Sequence, residues 1–90
     1  MKSIKTLYEG RVQGVGFRWT VKHHAREFDV AGTVKNLPDG RVELIAQGDP
    51  DEVSGFLEAI RRSDLAGHIS LESHEVGTPV SHLRGFQIIA

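Results

Sequence analysis

Apolar and polar residues change their spacing several times along this 90-residue chain, and each change marks an element. From Ile4 to Val12 they alternate loosely around the β-favouring Thr6 and Tyr8, which predicts a first strand over 4–12. Beyond a glycine loop the repeat lengthens to three and four. Phe17, Val21, Ala25 and Phe28 then share one side of a helix predicted over 18–28. Gly32 to Leu37 reads as a second strand, and Pro38-Asp39-Gly40 pairs a residue that presets φ with one that tolerates positive φ. Residues 41–46 are therefore expected to return as its antiparallel partner. Asp49-Pro50-Asp51-Glu52 supplies a cap, a proline at the first helical position and a glutamate three after the cap. The helix that follows buries Val53, Phe56, Leu57 and Ile60. Ser63 to His68 reads as a polar connection, 69–76 as a strand, and 84–90 closes the chain with Phe86, Ile88 and Ile89. The link 77–82 has no periodicity.

The resulting order is strand, helix, strand, strand, helix, strand, with room for one more short strand near the end. This is an α+β pattern, the ferredoxin-like split βαβ sandwich, in which an antiparallel sheet carries two helices on one face. Ninety residues bury enough surface for one core, so 1–90 is expected to be a single domain. No internal repeat, low-complexity tract or Gly/Ser/Pro-rich linker divides it.

Composition narrows the function. A 39% apolar and 26% charged chain is ordinary for a globular protein, and no apolar run approaches the length that spans a bilayer. No apolar segment follows Met1-Lys2-Ser3, and there is no cysteine, so no disulfide, thiolate metal site or cysteine nucleophile is expected. These features predict a cytoplasmic location with no membrane partner. A formal charge of -1 argues against nucleic acid as the main ligand. Charge is nevertheless uneven: Arg11, Arg18, Lys22 and Arg26 precede the first acid of that region, Glu27, a bias that steers small anions toward the loop and first helix.

The chemistry concentrates in Gly10-Arg11-Val12-Gln13-Gly14-Val15-Gly16-Phe17-Arg18. Here a glycine-rich turn delivers a guanidinium to a helix start, where a cation opposes the positive end of the helix dipole. Two readings stand: a plain turn, or a cradle of N–H groups and Arg18 around one phosphate-sized anion. No Gly-Lys-Ser or Gly-Lys-Thr follows, and the third glycine of a dinucleotide fingerprint is missing. Asn36 either satisfies backbone near the turn or, as an uncharged donor and acceptor, orients a water beside an anion. The five histidines lack metal-ligand spacing, and the acids from Asp49 to Glu58 read as helix cap and wet face. Phe17 and Trp19 read as core or pocket wall, since a base-stacking platform needs several aromatics on one sheet face.

Val12-Gln13-Gly14-Val15-Gly16-Phe17-Arg18, followed by Asn36 and then Asp39-Gly40-Arg41-Val42-Glu43, resembles the two signature segments of the acylphosphatase family. The likeness runs from the first strand to Gly85-Phe86-Gln87-Ile88. It implies hydrolysis of the carboxyl-phosphate bond of acyl phosphates on a ferredoxin-like fold, by direct attack of water without metal, cofactor or covalent intermediate. By this resemblance Arg18 and the backbone amides of Gln13, Gly14, Val15, Gly16, Phe17 and Arg18 bind the phosphoryl group, and Asn36 holds the attacking water. The implied partners are a small acyl phosphate and product phosphate, handled by a monomer. Two positions depart from the family's habit: Thr33 follows the glycine of the second strand where an aromatic is common, and the chain ends Ile89-Ala90. The alternative is a catalytically idle anion-binding or interaction module on the same fold, like the acylphosphatase-like segment of hydrogenase maturation proteins. A third reading, a ferredoxin-like RNA binder, lacks both spaced aromatics and positive charge.

Overall fold

A computed structural model describes all residues, Met1–Ala90. The elements follow as β1 (Lys2–Gly10), α1 (Phe17–Ala25), β2 (Val30–Asn36), β3 (Val42–Gly48), α2 (Pro50–Arg61), a 3₁₀ turn (Asp64–His68), β4 (Ile69–Gly77) and β5 (Phe86–Ile88). The five strands lie in the order β4-β1-β3-β2-β5, with both helices packed against the sheet and against each other. Alternation along the strands explains the core. Ile4, Thr6 and Tyr8 of β1, Val42, Leu44 and Ala46 of β3, and Val34 of β2 are buried beneath Phe17, Val21, Val53, Phe56 and Ile60 of the helices. Tyr8 meets Phe17 at a ring separation of 5.1 Å, and Phe56 meets Phe86 edge-on at 5.5 Å.

The sheet is mixed, which corrects the expected all-antiparallel arrangement: β5 runs parallel to β2, pairing Gly32 with Phe86 and Val34 with Ile88. The cause is the 77–82 link. Because β4 and β5 lie at opposite edges of the sheet, the chain must pass from one edge to the other between them. Gln47 of β3, only 3% exposed, holds that passage. Its Nε2 donates to the Val80 carbonyl at 2.8 Å and its Oε1 accepts from the Val80 N–H at 2.7 Å, so every polar atom of a buried amide has a use. The arriving strand is then fastened by Gly32 N–H to Gly85 O and Ile89 N–H to Val34 O. Gly32 is obligatory where β2 meets β3, since a Cβ there would lie 1.8 Å from the Ile45 carbonyl oxygen.

Element bounds shift modestly from expectation. β1 ends at Gly10, where a register shift breaks its pairing with β4, so Val12 is buried outside the ladder. Residues 26–28 leave the α-helix as a tightened turn, with Arg26, Glu27 and Phe28 N–H groups bonding three residues back. The start of α2 is capped by Asp49, whose side chain accepts from Asp51 N–H at 3.1 Å. Glu52 does not close a capping box; its carboxylate accepts from Asp29 N–H at 2.7 Å and ties the end of the α1 segment to α2. The expected polar connection after α2 contains a short 3₁₀ helix instead, capped by Ser63 and anchored by buried Leu65. No helix is long and apolar enough to cross a membrane.

Candidate active site

The first helix begins without any of the usual side-chain help. Its N-cap is Gly16 in the left-handed region, φ 74°, no side chain caps it, and no acid occupies its first turn. Gly14 is also left-handed, at φ 80°, so two residues free of Cβ strain bend Val12–Phe17 back over the end of the helix. The first helical N–H groups have no intrahelical acceptor, since Thr20 N–H to Gly16 O is the first bond of the series. The backbone of 13–19 donates no other hydrogen bond within the protein. A run of free N–H groups on a helix start carries partial positive charge and suits an anion.

Beside these donors is a cleft of about 180 Å³ lined by Val12, Gly14, Gly16, Phe17, Arg18, Trp19, Asn36 and Ile88. Arg18 forms no ion pair: the protein's salt bridges join Lys5 and Lys35 to Glu43, Arg41 to Asp39, Arg61 to Glu58 and Glu72, Arg62 to Glu58, and two histidines to glutamates. Arg18, a residue of the cleft wall, therefore has no acidic partner within the protein. Asn36 arrives from the end of β2, on the same sheet face as buried Val34. Its Oδ1 is buried and accepts no hydrogen bond from the protein, leaving a neutral acceptor beside an arginine and free amides. Such an acceptor is complemented by an O–H or N–H donor, and not by an unprotonated anionic oxygen.

Of the residues singled out in the sequence, Arg18, Asn36, Gly14, Gly16 and Phe17 meet at this cleft, while Gln13 and Val15 do not line it. Gln13 turns its side chain away, donating from Nε2 to the carbonyls of Leu37 at 2.9 Å and Arg41 at 3.0 Å. It thereby pins the glycine loop to the β2–β3 turn, where Asp39 receives both the backbone and the side chain of Arg41. Those bonds, the backbone one first, hold the Asp39 carboxyl below the usual carboxylate range. Val15 is 41% exposed. Ile88 is a cleft residue that sequence reasoning missed; no periodic signal marks it, because its place depends on the parallel return of β5. No three His, Cys, Asp or Glu side chains converge to hold a metal ion.

Comparison with known proteins identifies the family. The family model described as Acylphosphatase matches residues 4–88. An acylphosphatase of Lactobacillus johnsonii is 46% identical over 70 residues, covering 77% of this chain and 77% of that protein. One from Listeria welshimeri is 42% identical over 84 residues, covering 89% and 87% respectively. Among solved structures, the crystal structure of acylphosphatase from Bacillus subtilis superimposes with a TM-score of 0.90 at 33% identity, covering 100% of both chains.

Proposed function

The chain belongs to the acylphosphatase family and hydrolyses acyl phosphates, and from that premise we propose how its cleft performs the reaction. Arg18 and the free N–H groups of the glycine loop and first helical turn hold the phosphoryl oxygens. Asn36 accepts a hydrogen bond from a water and sets it in line with the scissile bond. The convergence of an unpaired guanidinium, free amides and an orphaned amide oxygen on one cleft carries this reading.

The chemistry explains why so little machinery suffices. Water oxygen bonds to phosphorus as the bond from phosphorus to the acyl oxygen breaks, and that electron pair leaves with a carboxylate. The conjugate acid of this leaving group has a pKa of about 4, so no protein acid has to protonate it. Asn36 is too weak a base to ionise water, and the water's proton passes late to an oxygen of the phosphoryl group itself. What the protein supplies is position and charge stabilisation. We propose that residues 1–90 act as one domain and a monomer in the cytoplasm, without nucleic acid, membrane or metal, in keeping with a net charge of -1 and the absence of cysteine.

The test is hydrolysis of benzoyl phosphate in the presence of chelator, combined with inorganic phosphate titrations read by the fluorescence of Trp19, the one tryptophan and a cleft residue. Arg18→Ala is expected to lose phosphate affinity and about 10³–10⁵ in rate, the range for an arginine on a transferring phosphoryl group. Asn36→Ala is expected to keep phosphate affinity and lose about 10²–10³ in rate, as for one neutral hydrogen-bonding group. Equal loss of phosphate binding in both variants refutes this division of roles.

A further inference from the structure

The phosphate cleft does not end at Trp19. Trp19 and Ile88 also form one wall of a second hollow of about 180 Å³, completed by Lys22, His23 and Arg26. Trp19, Lys22 and His23 of α1 and Arg26 at its C-cap stand at i, i+3, i+4 and i+7, so they form one stripe along the helix and its end, and α1 packs beside β5. Trp19 is 65% exposed yet held flat, its ring stacked on His23 at 5.3 Å with 8° between the planes. Lys22 and Arg26 take part in none of the protein's ion pairs or side-chain hydrogen bonds. The nearest acid on the helix segment, Glu27, is engaged instead with His24, on a different side of α1. Two unpaired cations therefore border a hollow without an acid, immediately beyond an aromatic step that adjoins the phosphate cleft.

We propose that this hollow is the acyl subsite and that it selects acyl phosphates whose acyl chain ends in a carboxylate. The inference rests on the reading of the phosphate cleft given above and names the half of the substrate which that reading leaves open. An acyl phosphate held at the start of α1 directs its acyl chain across Trp19 and Ile88, the residues common to both hollows. With a rise of about 1.5 Å per residue, Lys22 lies roughly 6 Å along the helix from Arg18 and Arg26 roughly 12 Å. An extended chain advances about 1.3 Å per bond, so the far carboxylate of a four-carbon diacid monophosphate lies some 6–7 Å from phosphorus, level with Lys22. A diacid one or two carbons longer reaches toward the Arg26 fork. The methylenes between cross the indole face, which provides apolar contact without demanding a particular shape.

The experiment compares succinyl phosphate with butyryl phosphate, which have the same four-carbon chain and phosphoryl group and differ in the terminal carboxylate. For the parent protein kcat/KM for succinyl phosphate is expected to exceed that for butyryl phosphate by about three-fold at low salt, the effect of one partly exposed ion pair, with Lys22. The ratio is expected to fall toward one in roughly 0.5 M salt, where such pairs are screened. In the double variant Lys22→Gln/Arg26→Gln it is expected to be about one at all salt concentrations. Because each ratio is taken within one protein, partial misfolding of the variant does not alter it. A parent ratio of one or less, or a ratio preserved in the double variant, overturns the subsite while leaving phosphate-cleft hydrolysis intact. If the parent turns over neither compound, the phosphate-cleft reading fails and the subsite with it.

Discussion

Replacing Gln47 tests whether the crossing that builds the active-site wall is held by one buried amide. In Gln47→Ala the two bonds to Val80, at 2.8 and 2.7 Å, disappear together. At a net value of about 1 kcal/mol each, and with the buried methylenes of the side chain adding up to about 1 kcal/mol, the expected loss is about 2–3 kcal/mol. That is a large part of the 5–15 kcal/mol typical of a whole domain, and it corresponds to a fall in Tm of about 10–20 °C for a chain of this size. Urea unfolding followed by circular dichroism measures it. The partner variant Gln47→Glu separates hydrogen bonding from volume. Its carboxylate still accepts from Val80 N–H but meets the Val80 carbonyl with charge, so burial and that carbonyl raise its pKa above the ordinary glutamate value. A raised folded-state pKa gives stability that is fully present below about pH 4.3 and is lost as pH rises through the folded value. Gln47→Glu should thus approach the parent near pH 4 and be the least stable of the three at pH 7. A Gln47→Ala variant within about 0.5 kcal/mol of the parent, or a Gln47→Glu profile parallel to the parent's, refutes the anchoring role.

Gly16→Ala adds a methyl that touches nothing within 4 Å, so its cost is purely the left-handed backbone, about 1–2 kcal/mol. This is expected either as lost stability or, if the loop relaxes, as roughly ten-fold weaker binding of inorganic phosphate; a variant equal to the parent in both titrations contradicts the cradle geometry. Glu58 receives Arg61 and Arg62, and its hydrogen bond with Arg61, followed by that with Arg62, lowers its pKa from the ordinary carboxylate range. A lowered folded-state pKa contributes stability above the unfolded value that is lost as pH falls through the folded one, so Glu58→Gln should flatten the acid side of the stability profile. Urea midpoints measured from neutral pH down to about pH 3 check this, and an unchanged acid slope counts against it.

What could be read from the chain without coordinates was whatever depends on neighbours in sequence. The three-and-four repeat from Phe17 located α1, and Asp49-Pro50 located the start of α2, because a helix is closed by bonds within itself. The Pro38-Asp39-Gly40 turn likewise announced the β2–β3 hairpin, whose register runs from Val30–Gly48 to Asn36–Val42. The parallel pairing of β5 was illegible for the complementary reason. It depends on Gln47 meeting Val80 across 33 residues and on Gly32 N–H reaching the Gly85 carbonyl, and neither leaves a local pattern. Glu52 shows the same limit at finer grain: its position after the cap suggests a local box, while a tertiary partner, Asp29 N–H, takes the carboxylate.

The site divides along that same line. Gly14, Gly16 and Arg18 are close in sequence, so their meeting at one helix start could be read locally, and a cation at an uncapped helix start is what suggested a bound anion. Asn36 was a candidate in the sequence, but only β2 brings it to the same cleft as Arg18 and buries its Oδ1 without a partner. The side chain of Gln13 serves the β2–β3 turn and steadies the loop from outside, which leaves its proposed backbone role untouched. Ile88 closes the cleft and borders the next hollow only because the chain crosses the sheet before ending. On the proposed reading one short helix addresses both halves of an acyl phosphate, its free N–H groups the phosphoryl oxygens and its Trp19–Arg26 stripe the chain beyond. Since the two halves meet at Trp19, substitutions of Lys22 or Arg26 should change which acyl group is chosen, whereas substitutions of Arg18 should weaken every acyl phosphate alike.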